Sequence, residues 1–525
     1  MMSMAKFVTA AQAAELFKDG DWVASSSFGL AGWAEEIALA LEERFSKTGH
    51  PRDLTHIHAG GAGNFQGRGG GHWAHEGMTK RYIISHAGSE PQVMEHIASN
   101  TCLAYNFPLG VILQCYNDIA RRGPGVFSQA GLRTFIDPRM DGGAFNQKTR
   151  DEWEKLIEVK ELNGKEWLWY KPFPVNVAFL RATSSDENGN ITCEKEGPNL
   201  ELMSIAQAAK ACGGIVIVQV ERIVNNGTMH PKQVKVPGII VDYVVVAEKP
   251  QMQTMVTLYN PSFSGEVKVP MKSIPPMPMS SDKLICRRTA MEVRPGAISL
   301  GIGIPQGVAS VIAEEKADNK VTLMSESGSI GGIPGVGGDF GSHWNAEAST
   351  EQPTHFNYYD GGGLDIAVFG LAETDPEGNC NASVFNGKVF GVGGFINVAT
   401  NAKKTIMAGA FTAGGLKVKS GDGKLTIEQE GQFKKFLNRV AQISFSGPYA
   451  REIGQEVMFI TERAVFELTH DGFVLTEIAP GIDLQKDVLD QMEFKPIISP
   501  DLKMMNAGIF TEVWGEDELR QIIEG

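Results

Sequence analysis

Apolar residues along the chain follow two spacings, and the two alternate in a way that predicts strands and helices in turn. Near the N-terminus, Thr9 and Gln12 have the spacing of a helix capping box. Residues 22–24 then predict a short strand, and a loop at 25–32 follows it. The next segment predicts a helix with three apolar positions, Ile37, Leu39 and Leu41. Strand, glycine-containing turn and helix in this order are typical of an α/β domain.

The second half of the chain repeats this plan. Residues 297–300 predict a strand, 301–307 a glycine turn, and a helix begins at Val308. A closer echo joins NVAFLRATSSDENGN, which begins at Asn176, to DIAVFGLAETDPEGN, which begins at Asp365. Both segments predict a strand followed by an Asp-x-x-Gly-Asn turn. A second echo, AQAAK against ATNAK, has nearly the same offset, so we predict two similar domains from an internal duplication.

A proline-rich segment separates the two predicted domains. Residues 270–280 contain four prolines and show neither helical nor strand periodicity. We therefore predict an N-terminal domain at 1–269, a linker at 270–284 and a C-terminal domain at 285–525. Each domain is expected to be a three-layer α/β unit, with the functional site between them.

Charge and cysteine content narrow the possible functions. The chain has 48 basic and 62 acidic residues, a net charge of −14, and no long basic run, which argues against nucleic-acid binding. Its six cysteines form no CxxC pair, which argues against a zinc site and favours reduced, mostly buried thiols. No apolar run reaches 18 residues and no signal segment is evident, so we expect a cytoplasmic protein without membrane spans.

One glutamate stands out as a candidate for chemistry. An apolar strand at 321–324 runs directly into Ser325-Glu326-Ser327-Gly328. The carboxylate of Glu326 therefore lies at a strand end, where α/β sheets bind ligands, and its small neighbours leave room for a bulky substrate. The alternative is a solvated loop glutamate, which is the ordinary state of this residue type. Two glycine turns in the same half favour the first interpretation: Gly301-Ile302-Gly303-Ile304-Pro305 and Gly391-Val392-Gly393-Gly394-Phe395.

Taken together, these motifs resemble family I CoA-transferases, and most closely the single-chain acetate or propionate CoA-transferases. The resemblance extends over nearly the whole chain. It includes Ser-Glu-Ser-Gly at 325–328, YDGGGLD at 359–365, GVGGFIN at 391–397, FTAGGL at 411–416 and PLGVILQ at 108–114. The N-terminal half departs from the family pattern, since Ser26-Ser27-Phe28 stands where Gly-Gly-Phe is usual.

The resemblance implies a role for each motif. Glu326 is expected to be the nucleophile and to carry CoA as a glutamyl thioester, and the backbone N–H of Gly394 is expected to stabilise the oxyanion. The implied CoA-binding residues are Gly301, Ile302, Gly303, Ile304, Pro305 and Gly393. The implied substrate-binding residues are Phe28, Gly29 and Gln114. For Gln114 we keep the alternative of an amide satisfied within the core.

The expected reaction is a reversible, ping-pong transfer of CoA from an acyl-CoA to a short-chain acid such as acetate or propionate. It needs no metal and no permanently bound cofactor, since CoA is both substrate and covalent intermediate. A dimer or tetramer of identical chains is expected. The alternatives are a 3-oxoacid CoA-transferase, an acyl-CoA hydrolase on the same scaffold and a non-catalytic metabolite-binding protein. A metal site at His72, His75 and His86 is a weaker hypothesis, because the first two also suit an ordinary helix start.

Overall fold

The structure is a computed structural model that describes residues 5–270, 276–317, 320–514 and 518–524. Part of the proline-rich segment, residues 271–275, lies outside the described residues. The helices are α1 Ala10–Ala14, α2 Glu35–Thr48, α3 Pro91–Ala98, α4 Leu109–Ala120, α5 Gln147–Asp151, α6 Leu202–Ala211, α7 Ser281–Ala290, α8 Gln306–Glu314, α9 Gln352–Asp360, α10 Phe395–Asn401, α11 Gly447–Glu452 and α12 Glu518–Glu524.

Fifteen strands precede the proline-rich segment among the described residues. They are β1 Lys6–Val8, β2 Trp22–Ser25, β3 Leu54–His58, β4 Thr79–Ile84, β5 Leu103–Asn106, β6 Val126–Ser128, β7 Ile157–Leu162, β8 Lys165–Tyr170, β9 Val177–Arg181, β10 Ser184–Asp186, β11 Ile191–Thr192, β12 Ile215–Val220, β13 Arg222–Val224, β14 Val234–Val236 and β15 Tyr243–Val246.

The described strands that follow the segment are more numerous, and many of them have only two residues. They are β16 Ala297–Leu300, β17 Thr322–Met324, β18 Ser329–Ile330, β19 Ile333–Pro334, β20 His343–Trp344, β21 Ala348–Ser349, β22 Ile366–Gly370, β23 Glu373–Thr374, β24 Cys380–Asn381, β25 Val384–Phe385, β26 Lys388–Val389, β27 Lys404–Ala408, β28 Thr412–Ala413, β29 Lys417–Gly421, β30 Lys424–Gln429, β31 Phe433–Lys434, β32 Glu456–Ile460, β33 Ala464–Thr469, β34 Gly472–Ile478 and β35 Ile497–Met504.

The N-terminal half is built on one eight-stranded sheet in the order β1-β15-β12-β9-β2-β3-β4-β5, and every neighbouring pair is parallel. Alternate residues along its strands belong to two different hydrophobic cores, one on each face of the sheet. Val23, Val177 and Phe179 pack with α1 and α2. Ala24, Ala178 and Leu180 belong to the core that contains α4 and α6. Because side chains alternate across a strand, the sheet is covered on both faces, which confirms the predicted α/β layering.

The C-terminal half is built on a ten-stranded sheet in the order β21-β18-β17-β16-β22-β27-β32-β33-β34-β35. Its central strands, β17 through β32 in that order, pair in parallel, and β18 and β33 pair antiparallel with their inner neighbours. The parallel centre places the carboxyl ends of β16, β17 and β22 at one edge, and this edge carries the functional site.

The two echoed turns have the same hydrogen bonds. Asp186 Oδ1 accepts from the N–H groups of Asn188 and Asn190, at 3.0 and 2.9 Å, and Asp186 Oδ2 accepts from the amide of Asn190 at 2.8 Å. In the second half, Asp375 accepts from the N–H groups of residues 377 and 379 and from the Asn379 amide, each at 3.1 Å. Each turn follows a short strand, β10 or β23, that comes directly after a central strand of the main sheet, β9 or β22. The same hydrogen bonds of an Asp side chain therefore shape both turns, and this similarity supports the internal duplication.

Local details agree with some expectations and differ from others. The capping box of Thr9 and Gln12 is present, at 3.2 and 3.0 Å. Leu39 was expected on an apolar helix face but is 39% exposed, because only the face of α2 with Ile37, Ala38 and Leu41 packs on the sheet.

Helix α8 begins at Gln306, two residues earlier than predicted. Helix α7 begins at Ser281, so the last four residues assigned to the linker are helical; the domain bounds themselves stay a prediction.

Candidate active site

A cavity of about 300 Å³ lies between the two halves of the molecule, and both contribute to its wall. The N-terminal half provides Phe28, Gly29, Gly60, Gly61, Phe65, Ser85, His86, Ser89, Leu109 and Met255. The C-terminal half provides Gly301, Ile302, Glu326, Phe340, Phe369, Gly370, Ala372, Ala382, Phe385, Gly391, Val392, Gly393, Gly394 and Phe395. The fold thus brings one glutamate together with two glycine turns and a mostly apolar wall, although these residues are far apart in the sequence.

Glu326 is carried on a tight turn immediately after β17. The Gly328 N–H donates to the Ser325 carbonyl at 3.0 Å, and Gly328 has a φ of +102°. A Cβ at position 328 would lie 2.4 Å from the Thr350 carbonyl oxygen, so the turn requires glycine both for its backbone conformation and for space. The small residues around Glu326, noted in the sequence, therefore fix the shape of this turn.

Side chains from residues 341–352 hold the turn in place. The Ser325 hydroxyl donates to His343 Nε2 at 2.6 Å, and His343 Nδ1–H donates to the Gly331 carbonyl at 2.7 Å. Burial lowers the pKa of His343 to about 4, so this imidazole is neutral and its Nε2 accepts. The Gln352 amide donates to the Glu326 carbonyl at 3.0 Å. The backbone of the candidate nucleophile is thus held from two sides.

The carboxylate of Glu326 lies directly against Gly394, the residue before α10. The backbone N–H of Gly394 lowers the pKa of this carboxyl group and so favours its ionised form. A Cβ at position 394 would lie 2.5 Å from both Cδ and Oε2 of Glu326, closer than real Cβ atoms approach other heavy atoms. Gly394 has an ordinary φ of −84°, so glycine is needed here for the close approach and not for its backbone conformation.

The loop that carries Gly394 is anchored on the N-terminal half. The Gly393 N–H donates to the Ser85 carbonyl at 2.8 Å, and the Leu109 N–H donates to the Gly393 carbonyl at 2.9 Å. The Val392 N–H donates to Asn106 Oδ1 at 3.2 Å. The N–H that faces Glu326 is therefore positioned by both halves of the molecule, and the geometry at the carboxylate depends on how they pack together.

Burial raises the pKa of Glu326 to about 7, and the backbone N–H of Gly394 opposes that shift. Near neutral pH the group is therefore present both as carboxylate and as carboxylic acid. A poorly solvated carboxylate with one fixed N–H donor is suited to attack an activated carbonyl, because little water has to be removed before the attack.

The structure brings most of the predicted site residues to this cavity. Its wall includes Phe28, Gly29, Gly301, Ile302, Glu326, Gly393 and Gly394. Gly303, Ile304 and Pro305 do not line it: the Gly303 N–H is bonded to Gln306 at 3.0 Å, and the Ile304 carbonyl accepts from Cys286. These three residues form the entry to α8, beside the cavity rim at Ile302.

Gln114 lies away from the cavity, on α4 where it meets α9. Its amide donates to Asn357 Oδ1 at 2.7 Å and to the Pro353 carbonyl at 3.3 Å, and its oxygen accepts from Asn117 at 3.3 Å. The structure thus favours the alternative of a satisfied amide, and this amide joins the two halves of the molecule.

The three histidines of the predicted metal site have different surroundings. His72 and His75 contact Glu42 of α2 at 2.7 and 2.8 Å, whereas His86 lines the cavity. In the described part of the chain, no group of three or more His, Cys, Asp or Glu side chains is arranged to hold a metal ion. Within the same residues, no helix combines the length and the apolar character needed to cross a bilayer.

Sequence reasoning found Phe28 and Gly29 but missed the rest of the wall that the N-terminal half contributes. Ser85, His86 and Ser89 follow β4, and Gly60, Gly61 and Phe65 belong to a glycine-rich loop. The glycines of that loop were visible in the sequence, but nothing there connected them to Glu326. The connection depends on contacts between residues about 240 or more positions apart.

The α/β fold has two similar halves, and a poorly solvated glutamate lies beside a backbone N–H between them, an arrangement suited to acyl-group chemistry. Comparison with known proteins gives the family. The Coenzyme A transferase family model matches residues 7–247. Caffeate CoA-transferase of Acetobacterium woodii is 45% identical over 97% of this chain and 98% of its own. Acetate CoA-transferase YdiF of Escherichia coli K12 is 41% identical over 91% and 90%.

A crystal structure of the Escherichia coli O157:H7 acyl-CoA transferase YdiF, described as a thioester complex with CoA, superposes with a TM-score of 0.91. It is 38% identical in sequence and covers 97% of each chain. The present chain belongs to the coenzyme A transferase family and is a CoA-transferase.

Proposed function

We propose that this protein transfers CoA from an acyl-CoA to a monocarboxylic acid, with Glu326 as the nucleophile and a glutamyl-CoA thioester as the intermediate. The observation that carries the proposal is the close approach of the Glu326 carboxylate to the backbone of Gly394 in a cavity formed by both halves. The thioester complex described for the YdiF relative is consistent with the same intermediate.

The proposed reaction conserves the energy of the thioester bond. A Glu326 carboxylate oxygen attacks the acyl-CoA carbonyl, the C–S bond breaks, and CoA thiolate leaves behind an acyl-glutamyl anhydride. The thiolate then attacks the glutamyl carbonyl of that anhydride. The first acid departs as a carboxylate with one oxygen from Glu326, and Glu326 retains CoA as a thioester. An acceptor carboxylate reverses these two steps, which restores the glutamate and releases the new acyl-CoA.

Each attack passes through a tetrahedral oxyanion. The Gly394 N–H is already held beside the carboxylate and needs no reorganisation when charge develops there, and a preorganised donor of this kind contributes about 3–4 kcal/mol in other enzymes. Gly301 and the half-exposed Ile302 lie at the cavity wall. We propose that they contact the pantetheine arm of CoA, with Gly393 beside them and residues 303–305 supporting this rim.

The sequence resemblance and the named relatives indicate which acids can accept CoA. Acetate and propionate are the acids that the sequence resemblance implies, and the relative named acetate CoA-transferase supports them. The relative named for caffeate shows a larger acid among close family members. We therefore propose monocarboxylic acids with the short-chain type included, and keep a 3-oxoacid as an alternative. A homo-oligomeric state and a cytoplasmic location stay predictions.

Initial-rate kinetics test the proposed function against hydrolysis on the same scaffold. The acyl-CoA concentration is varied at several fixed concentrations of the acceptor acid. The double-reciprocal plots should then be parallel, because the donor's acid leaves before the acceptor binds. Without an acceptor acid, free thiol should not accumulate, because CoA stays on Glu326 as a thioester. Continuous thiol release without acid would establish the hydrolase instead, and intersecting lines would contradict the covalent intermediate.

A further inference from the structure

The cavity has more apolar wall than a two- or three-carbon acid can cover. Six of its lining residues are phenylalanine, in a chain that has 27 phenylalanines among 525 residues. Phe28 and Phe340 pack at a centroid distance of 5.6 Å. Phe28 also lies beside Gly341, whose carbonyl accepts from Ser327 of the nucleophile turn. Aromatic surface therefore begins next to Glu326.

Phe65 is the least expected member of this wall. It lines the cavity yet is 55% exposed, and its φ of +64° is rare for a bulky residue. The loop sustains this conformation because the Phe65 N–H donates to the Ser89 carbonyl at 2.8 Å. A strained, exposed aromatic ring at the edge of an apolar cavity is typical of a surface that a ligand covers.

A buried hydroxyl without a partner lies on the same wall. Ser89 is 4% exposed and lines the cavity, and its Oγ has no hydrogen-bond partner among the described residues. Oγ lies beside Gly61, where a Cβ would come within 2.9 Å. His86 is next to it, and burial lowers the pKa of this imidazole, so it is neutral. A buried unpaired hydroxyl costs free energy until a ligand supplies its partner.

The charge of the wall restricts the ligand further. Among the described residues that line the cavity, none is Lys or Arg. A second carboxylate on the acid would therefore enter an apolar space without a counter-charge, which is strongly unfavourable.

We propose that Phe28, Phe65, His86, Ser89 and Met255 form a subsite for the tail of the acceptor acid, and that it takes a monocarboxylic acid whose aromatic or unsaturated body ends in a hydroxyl group. The inference rests on the proposed function and deepens it. Short-chain acids react at the same glutamate but leave this subsite empty, and dicarboxylic acids are disfavoured.

The test separates the two half-reactions. The Glu326–CoA adduct is first formed with acetyl-CoA, verified by intact mass and freed of the donor. It is then mixed with propionate, 3-phenylpropionate, 3-(4-hydroxyphenyl)propionate or succinate, and kcat/KM for release of the new acyl-CoA is measured. The phenyl group should raise kcat/KM over propionate by about tenfold or more, from burial of its apolar surface. Succinate should react more slowly than propionate.

Two variants and one control assign the effect to the subsite. Ser89→Ala should lower kcat/KM for the hydroxylated acid by about two- to tenfold, the worth of one hydrogen bond, and leave 3-phenylpropionate unchanged. Phe65→Ala should reduce the advantage of both aromatic acids over propionate. Phe433→Ala is the matched control, because Phe433 is 63% exposed and lies outside the cavity wall.

The outcomes are distinguishable. If propionate reacts as fast as the aromatic acids, or if Ser89→Ala and Phe65→Ala slow adduct formation instead of acid transfer, the subsite assignment is wrong while the proposed reaction stands. If no adduct forms with any donor, the proposed function fails and this inference fails with it.

Discussion

Replacing Gly394 by alanine tests the close approach on which the proposed chemistry depends. The backbone at 394 has a φ of −84°, so alanine is accepted there without strain. Its Cβ would lie 2.5 Å from Cδ and Oε2 of Glu326, whereas ordinary contacts begin at 3.4 Å. The carboxylate must therefore move by about 0.9 Å, and a misplacement of about 1 Å can cost roughly a hundredfold in rate.

The expected result for Gly394→Ala is a loss of about a hundredfold in the rate of adduct formation, with little change in thermal stability. Adduct formation is followed by intact mass after rapid mixing with an acyl-CoA, and stability by thermal unfolding. Gly421→Ala is the control, because Gly421 has open space around its Cβ position and does not line the cavity. A Gly394→Ala enzyme with the unaltered rate would refute the argument that glycine is needed for contact with the nucleophile.

Four further predictions follow from the site and the fold. Because burial raises the pKa of Glu326 to about 7, the rate of adduct formation should fall about tenfold per pH unit below pH 7; a flat profile would contradict this. The folded state keeps this proton between pH 4.5 and 7 while the unfolded chain releases it, so stability should fall by about 3 kcal/mol across this range relative to Glu326→Gln, measured by urea unfolding. Ser325→Ala removes the donor to buried His343 and should cost about 1–3 kcal/mol of stability and lower kcat more than it changes KM. Asp186→Ala and Asp375→Ala each remove the same three hydrogen bonds and should destabilise by about 1–3 kcal/mol without lowering kcat; unequal losses would argue against equivalent turns.

The local parts of this fold could be predicted from the sequence because each depends on residues close together in the chain. The Asp-x-x-Gly-Asn turns are one example, since an Asp side chain accepts from N–H groups two and four residues ahead. The position of Glu326 is another, because an apolar strand that ends in small residues locates a turn at a sheet edge.

What could not be predicted depends on contacts between distant parts of the chain. The loop at Gly393 and Gly394 is positioned by the carbonyl of Ser85 and the N–H of Leu109, and no local pattern relates these segments. Gln114 shows that packing between distant segments can also give a residue a different role from the one its type suggests. Its residue type suited a substrate contact, but the packing of α4 on α9 turns the amide toward Asn357.

The central claim is that Glu326 carries CoA covalently during turnover. The most direct measurement is the intact mass of the protein after incubation with an acyl-CoA, followed by addition of an acceptor acid. We expect a gain equal to one CoA less one water, its loss when the acid is added, and no gain in Glu326→Gln. An active enzyme that shows no such adduct, or a Glu326→Gln variant that still forms it, would contradict the account.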